Sequence, residues 1–143
     1  MNAEELLQSV PLFHSLDRKH VERLAKGAHE RTYTAGESIV NEGESGIGLF
    51  VVSTGQVEVS QNSGGQNRIL RSMGPGEVFG ELALLTDHTR TASVRATQPT
   101  TCLVVTSWNF RALLDEAPEM GKPLAMTLAQ RLVETEDRAA ARQ

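Results

Sequence analysis

The stretch from Gly76 to Arg95, GEVFGELALLTDHTRTASVR, gathers residue types that could hold a small anion carrying a hydroxyl. Phe79-Gly80-Glu81-Leu82-Ala83-Leu84-Leu85 reads as a strand end, a tight turn and one helical turn. The first amides of a helix lack internal partners, and with the axial dipole they favour phosphate. Gly80 lets the backbone approach a ligand closely. Arg90 follows a polar turn and can offer a fixed, bidentate positive charge to phosphate oxygens. Glu81 would repel a phosphate, so it fits best as the acceptor for a neighbouring sugar hydroxyl. Each residue also has a plainer reading. Arg90 could be a surface ion pair with Asp87 or Glu81. Glu81 could be a helix-start charge. Thr91 could be a strand residue with a satisfied hydroxyl.

Catalytic and metal-binding patterns are not evident elsewhere. His14, His20, His29 and His88 are scattered, without the paired spacing of a metal site. His88 reads as a solvated turn residue near the pocket. No Ser/His/Asp or Cys/His set stands out, so the chain reads as a binder, not an enzyme, and without a metal. Cys102, in the run Cys102-Leu103-Val104-Val105, reads as a buried, inert thiol. A single cysteine excludes an internal disulfide and a cysteine-held iron–sulfur cluster. It fits a reducing, cytoplasmic compartment.

The elements that must position these residues follow from glycine and apolar patterning. All glycines except Gly27 and Gly121 lie between Gly36 and Gly80, which predicts tightly turned strands there. Short apolar runs repeat from Thr32 to Thr106: at 38–40, 49–52, 57–59, 68–70, 94–96 and 103–105. Residues 62–67 read as a polar hairpin loop. Many short strands with regular turns suggest a jelly-roll-like barrel. Helices are predicted at 2–8 and 17–28, the second capped by Asp17. Ser107 is expected to cap a helix through Asp115, and Pro118 to open another reaching 139. That last segment carries Met120, Leu124, Leu128 and Leu132 as an apolar stripe.

With 143 residues the chain is expected to be one domain, and its net charge of −4 disfavours sequence-independent nucleic-acid binding. No apolar run approaches the roughly 20 residues that span a bilayer, and no secretory signal is visible.

The ordered set Phe79 to Leu85, then Arg90-Thr91-Ala92-Ser93-Val94, resembles the phosphate-binding cassette of cyclic nucleotide-binding domains. The likeness extends to Val10-Pro11-Leu12-Phe13, Ala35-Gly36-Glu37, Leu49 to Val52 and Gly74-Pro75-Gly76-Glu77. It implies a single such domain over 1–143: N-terminal helices over 1–30, a β-roll over 31–106 with the cassette at 79–94, and a C-terminal hinge and lid over 107–143. The ligand implied is cAMP or cGMP. The ligand-binding residues implied are Phe79, Gly80, Glu81, Leu82, Ala83, Arg90, Thr91 and Ala92, with Glu81 on the ribose 2′-hydroxyl. The resemblance implies that Thr91 can reach a guanine amino group. It further implies that the last helix closes over the base, with Leu128, Arg131 and Leu132 as lid candidates. Leu85 and Leu113 or Leu114 would link cassette to hinge.

Two positions depart from the family pattern: Thr89 stands where a proline is usual, and Ile47 where an acidic residue is frequent. The apolar stripe of the last helix either pairs with a second copy, giving a homodimer, or packs on its own barrel, and an unidentified effector protein is the other expected partner. No helix-turn-helix or other DNA-binding motif is seen before Gln143. The alternatives are a degenerate, non-binding interaction domain, a cupin-type enzyme, or a sensor domain excised from a larger transcription factor or channel.

Overall fold

Two helices open the chain. α1 (Ala3–Gln8) begins in a capping box, the Asn2 side chain accepting from the Glu5 amide while the Glu5 carboxylate accepts from the Asn2 amide. α2 (Arg18–Lys26) has Asp17 at its N-cap position, but the Asp17 carboxylate makes no capping bond. The computed structural model describes residues 2–87 and 89–141, with the backbone alone at Leu82. His88 lies outside the described residues.

Eight strands follow: β1 (His29–Tyr33), β2 (Ser38–Val40), β3 (Gly48–Thr54), β4 (Val57–Ser63), β5 (Gln66–Met73), β6 (Val78–Phe79), β7 (Ser93–Ala96) and β8 (Thr100–Thr106). They form two four-stranded antiparallel sheets, β1-β8-β3-β6 and β2-β7-β4-β5. The expected roll is present, but among the described residues no strand is shared between the sheets, so it is not a closed barrel. β1 starts inside the region read as helical. Its side chains are mostly exposed and lack apolar alternation, and it is a strand because β8 pairs with it. The loop expected over 62–67 is shorter. β4 and β5 run into it and leave only Gly64 and Gly65 between them.

Burial explains why β3 and β8 read as continuous apolar runs. Phe50, Val52, Cys102 and Val104 face the second sheet and pack with Val57, Val59, Met73 and Val94. Leu49, Val51, Leu103 and Val105 face the other way, against the helices. A strand buried on both faces has no polar positions to alternate with.

The C-terminal part is helical. α3 (Ser107–Glu116) is capped by the Thr106 hydroxyl, which accepts from the Asn109 amide, so Ser107 is the first helical residue and not the cap. A 3₁₀ turn, Pro118–Met120, separates α3 from α4 (Gly121–Ala141). The apolar stripe expected over 118–139 is used unevenly. Met120 and Leu124 are buried and Leu128 packs at the core's margin, whereas Leu132 is 59% exposed. Buried His20 on α2 places Nε2 3.2 Å from Glu119 Oε1 in that 3₁₀ turn. Among the described residues no helix is long and apolar enough to cross a membrane.

Candidate functional site

Arg90 is buried, and no described carboxylate forms an ion pair with it. Its Nη2 donates to the Gly48 carbonyl at 2.9 Å. Its Cζ lies 5.6 Å from the centroid of the Phe50 ring, which stacks on Phe79 with centroids 5.0 Å apart. Burial lowers the guanidinium's pKa, yet an arginine stays charged in proteins. The alternative of a surface ion pair with Asp87 or Glu81 is therefore not realised. Asp87 faces Arg111, and Glu81 is held by Arg131. A buried cation without an anionic partner is costly unless something supplies the charge.

The backbone around Arg90 is held on both sides. Its amide donates to the Glu44 carbonyl at 2.7 Å, and its carbonyl accepts from the Gly43 amide at 2.8 Å. Thr89, in place of the usual proline, forms an isolated bridge with Ser45. Gly80 has φ 79° and presses against the guanidinium: a Cβ there would lie 2.1 Å from Arg90 Nη1 and 2.8 Å from the Gly48 carbonyl oxygen. Gly46 is equally confined, since a Cβ would lie 2.7 Å from the Ala83 Cβ and 3.0 Å from Arg90 Cζ.

The helical turn expected after Gly80 is a 3₁₀ turn, Glu81–Leu84. The Ala83 amide donates to the Gly80 carbonyl at 3.1 Å and closes this turn. Leu84 is fully buried among the helices, with Phe110 and Leu113. Leu84 thus makes the apolar link to α3, whereas Leu85, the residue expected there, is 40% exposed. Arg111 reinforces the link, with Nε donating to the Leu84 carbonyl at 3.0 Å and Nη2 to Asp87 at 3.4 Å.

A cavity of about 210 Å³ opens beside Arg90. Phe79, Gly80, Glu81, Ala83, Arg90, Thr91 and Ala92 line it, which brings together every expected binding residue except Leu82, whose side chain is outside the described set. Val40, Val59, Arg71, Val78, Thr89 and Val94 also line it and were not read from the sequence as site residues. The alternation of Val57 and Val59 was a usable signal for an inward-facing Val59. Arg71 carried none, because a β-bulge between Val59 and Ser60 sets the register that places it opposite Val59.

Leu128, Arg131 and Leu132 do not line this cavity. They line an adjoining one of about 390 Å³ with Leu12, Leu85, Thr86 and Thr135, and Glu81 borders both. Arg131 on α4 donates to the Glu81 carboxylate. That bond is the main reason its pKa is raised. Among the described residues no group of three or more His, Cys, Asp or Glu could hold a metal ion.

Comparison with known proteins agrees with this fold. The family model described as "Cyclic nucleotide-binding domain" matches residues 30–117. The chain is 35% identical over 131 residues to the cyclic AMP receptor protein of Thermus thermophilus, covering 91% of this chain and 61% of that protein. It is 30% identical to cGMP-dependent protein kinase isozyme 1 of Drosophila melanogaster, covering 90% of this chain and 18% of that one. It thus spans less than two thirds of each of these relatives. The structure is similar to the N-terminal domain of a transcriptional regulator from Streptomyces coelicolor, with a TM-score of 0.85, 31% identity and coverage of 94% of each chain.

Proposed function

We propose, on the premise that this chain belongs to the cyclic nucleotide-binding domain family, that it senses cAMP or cGMP and reports occupancy through α4. The observation that carries this is Arg90: a buried guanidinium without a carboxylate partner among the described residues, facing a cavity bounded by a close-packed glycine turn. A cyclic phosphodiester has the charge and size to complete it. Arg90 would hold the equatorial-type oxygens as a charge-assisted pair. Gly80 and the backbone of Leu82 would complete the cradle. Using the Ala83 amide as well would require the turn to open its bond to Gly80. Thr91, whose hydroxyl makes no bond among the described residues, would add a contact to phosphate or to the base.

Glu81 connects binding to the helix. Its carboxylate is the assigned acceptor for the ribose 2′-hydroxyl, yet here it is engaged by Arg131. A sugar hydroxyl arriving at Glu81 competes with Arg131 or repositions it, and α4 shifts with it. Leu128, Arg131 and Leu132 then either close over the base or leave the cassette. For ligand to drive this, it must favour one helix position over the other. Conversion from mostly one state to mostly the other needs roughly 10⁴-fold differential affinity. The exposed Leu132 and Val133 on α4 offer a surface for a second copy or an effector protein.

Thermal denaturation of the full chain with and without cAMP, cGMP and the linear 5′-monophosphates is the direct check. Ligand that binds only the native state raises Tm with concentration. A rise with the cyclic nucleotides, and much less with the linear ones, is expected. No rise at millimolar cyclic nucleotide would favour the degenerate, non-binding alternative.

A further inference from the structure

β5 lies at one end of the second sheet and, among the described residues, pairs only with β4. The N–H and C=O groups along its other side are therefore open to a further strand. The remaining sheet edges are blunter. β2 and β6 have three and two residues, and β1 has five, among them Glu30 and Arg31. β5 has eight residues, and all but Met73 are exposed. Ile69 and Leu70 stand side by side near its centre, 61% and 43% exposed. A long, exposed edge with an apolar centre is a template for strand addition.

The bulge between β4 and β5 sorts the side chains of this edge. Val59 and Gln61 take one face of β4, and Ser60 takes the other. Arg71 is opposite Val59, Arg68 opposite Gln61, and Ile69 opposite Ser60. Residues opposite one another share a face, so Arg68 and Arg71 stand together, with Ile69 on the reverse. Neither arginine side chain forms an ion pair or a hydrogen bond among the described residues. β5 itself carries no acidic residue. A second copy of the chain fits poorly here. Antiparallel pairing centred on Ile69 and Leu70 would set Arg68 against Arg71 of that copy, and like charges directly opposite destabilise a strand pair. A strand with acidic residues on one face and apolar ones on the other is the complement. We propose that β5 is a docking edge for an extended acidic peptide segment of a partner protein, in which acidic and apolar residues alternate. This edge is available whether or not the cavity beside Arg90 takes a nucleotide.

Binding of fluorescently labelled peptides to the full chain, read by anisotropy, tests it. The probe is a capped octapeptide of alternating glutamate and valine. It should bind saturably below about 1 mM, and more weakly as salt rises. A lysine–valine counterpart should not bind. Alternate amides of a strand point to the same side. N-methylation of all the glutamates and of all the valines should therefore differ, one abolishing binding and the other leaving it. Arg68→Glu should weaken the glutamate–valine probe at least about five-fold. Ile69→Lys, at the exposed apolar centre, should weaken it too, with the fold of both variants checked by circular dichroism. Absence of binding at about 1 mM overturns the proposal. So does an equal effect of the two N-methylations, since strand pairing would then not be the mode of contact. Self-association of wild type that Ile69→Lys abolishes, followed by light scattering, also overturns it, because a second copy would then cover the strand.

Discussion

Arg131 on α4 donates to the carboxylate of Glu81 in the 3₁₀ turn, 50 residues earlier in the chain. The pair ties the last helix to the residue proposed as acceptor for a ribose hydroxyl. Both side chains are partly exposed, so the pair itself stabilises the fold modestly, by about 1 kcal/mol or less. Its consequence is positional. Glu81 borders the cavity beside Arg90 on one side and the apolar cavity lined by α4 on the other.

Competition at Glu81 predicts opposite effects for its two partners. Arg131→Gln should raise cyclic-nucleotide affinity by roughly two- to ten-fold, because the carboxylate no longer has to exchange a charged donor for a hydroxyl. Glu81→Gln should lower affinity, by about 1.5–3 kcal/mol, as for losing a charge-assisted hydrogen bond. Titration calorimetry reads both. If Arg131→Gln weakened binding, Arg131 would be a ligand contact and not a competitor.

Gly80 should not tolerate a side chain. A Cβ there meets the Arg90 guanidinium at 2.1 Å, and φ 79° is strained for any other residue. Gly80→Ala is expected to displace Arg90, reduce binding at least ten-fold, and cost on the order of 1–3 kcal/mol in stability. Chemical denaturation together with titration separates the two effects. Wild-type binding in this variant would mean that the turn and Arg90 are not mechanically joined.

Cys102 predicts a pH dependence. Burial pushes its thiol up to about 11, so the native state keeps its proton after the unfolded chain has lost it. Its contribution to stability is fully present below the unfolded pKa near 9 and is lost as pH rises towards 11. Relative to Cys102→Ala, the wild type should lose about 2 kcal/mol of stability over that interval. Denaturant melts at several pH values measure the difference. The native thiol should also resist a thiol reagent until the protein unfolds.

The apolar link between cassette and hinge predicts a stability effect at Leu84. Leu84→Ala removes a fully buried side chain from the helical core and should cost about 2–5 kcal/mol. Leu85→Ala, at an exposed position, should cost far less. Equal losses in urea melts would show that Leu85, and not Leu84 alone, anchors the turn.

How far the sequence revealed these features depended on how local the cause was. The 3₁₀ turn after Phe79 and the position of Arg90 were legible because Gly80, Glu81 and Arg90 keep a short, fixed spacing. The strands carrying Leu49–Val52 and Cys102–Val105 were legible as apolar runs, since both of their faces are buried. β1 was misread in part because its polar residues owe their strand geometry to pairing with β8. Arg71, Val40 and Val94 were invisible as site residues, because a β-bulge and three separate strand pairings bring them together. Leu128 and Leu132 belonged to the apolar stripe that the periodicity revealed, whereas Arg131 was named only through the family resemblance. Only the tertiary structure shows that Arg131 meets Glu81 and that all three line the neighbouring cavity.

Calorimetric titration of wild type and Arg90→Ala with cAMP and cGMP bears most directly on the proposed phosphate site. Arg90 should contribute on the order of 2–5 kcal/mol, so the variant should lose at least thirty-fold in affinity for the better nucleotide. Its fold, checked by circular dichroism, should be retained. An intact Arg90→Ala protein that bound either nucleotide like wild type would contradict phosphate capture at this cavity.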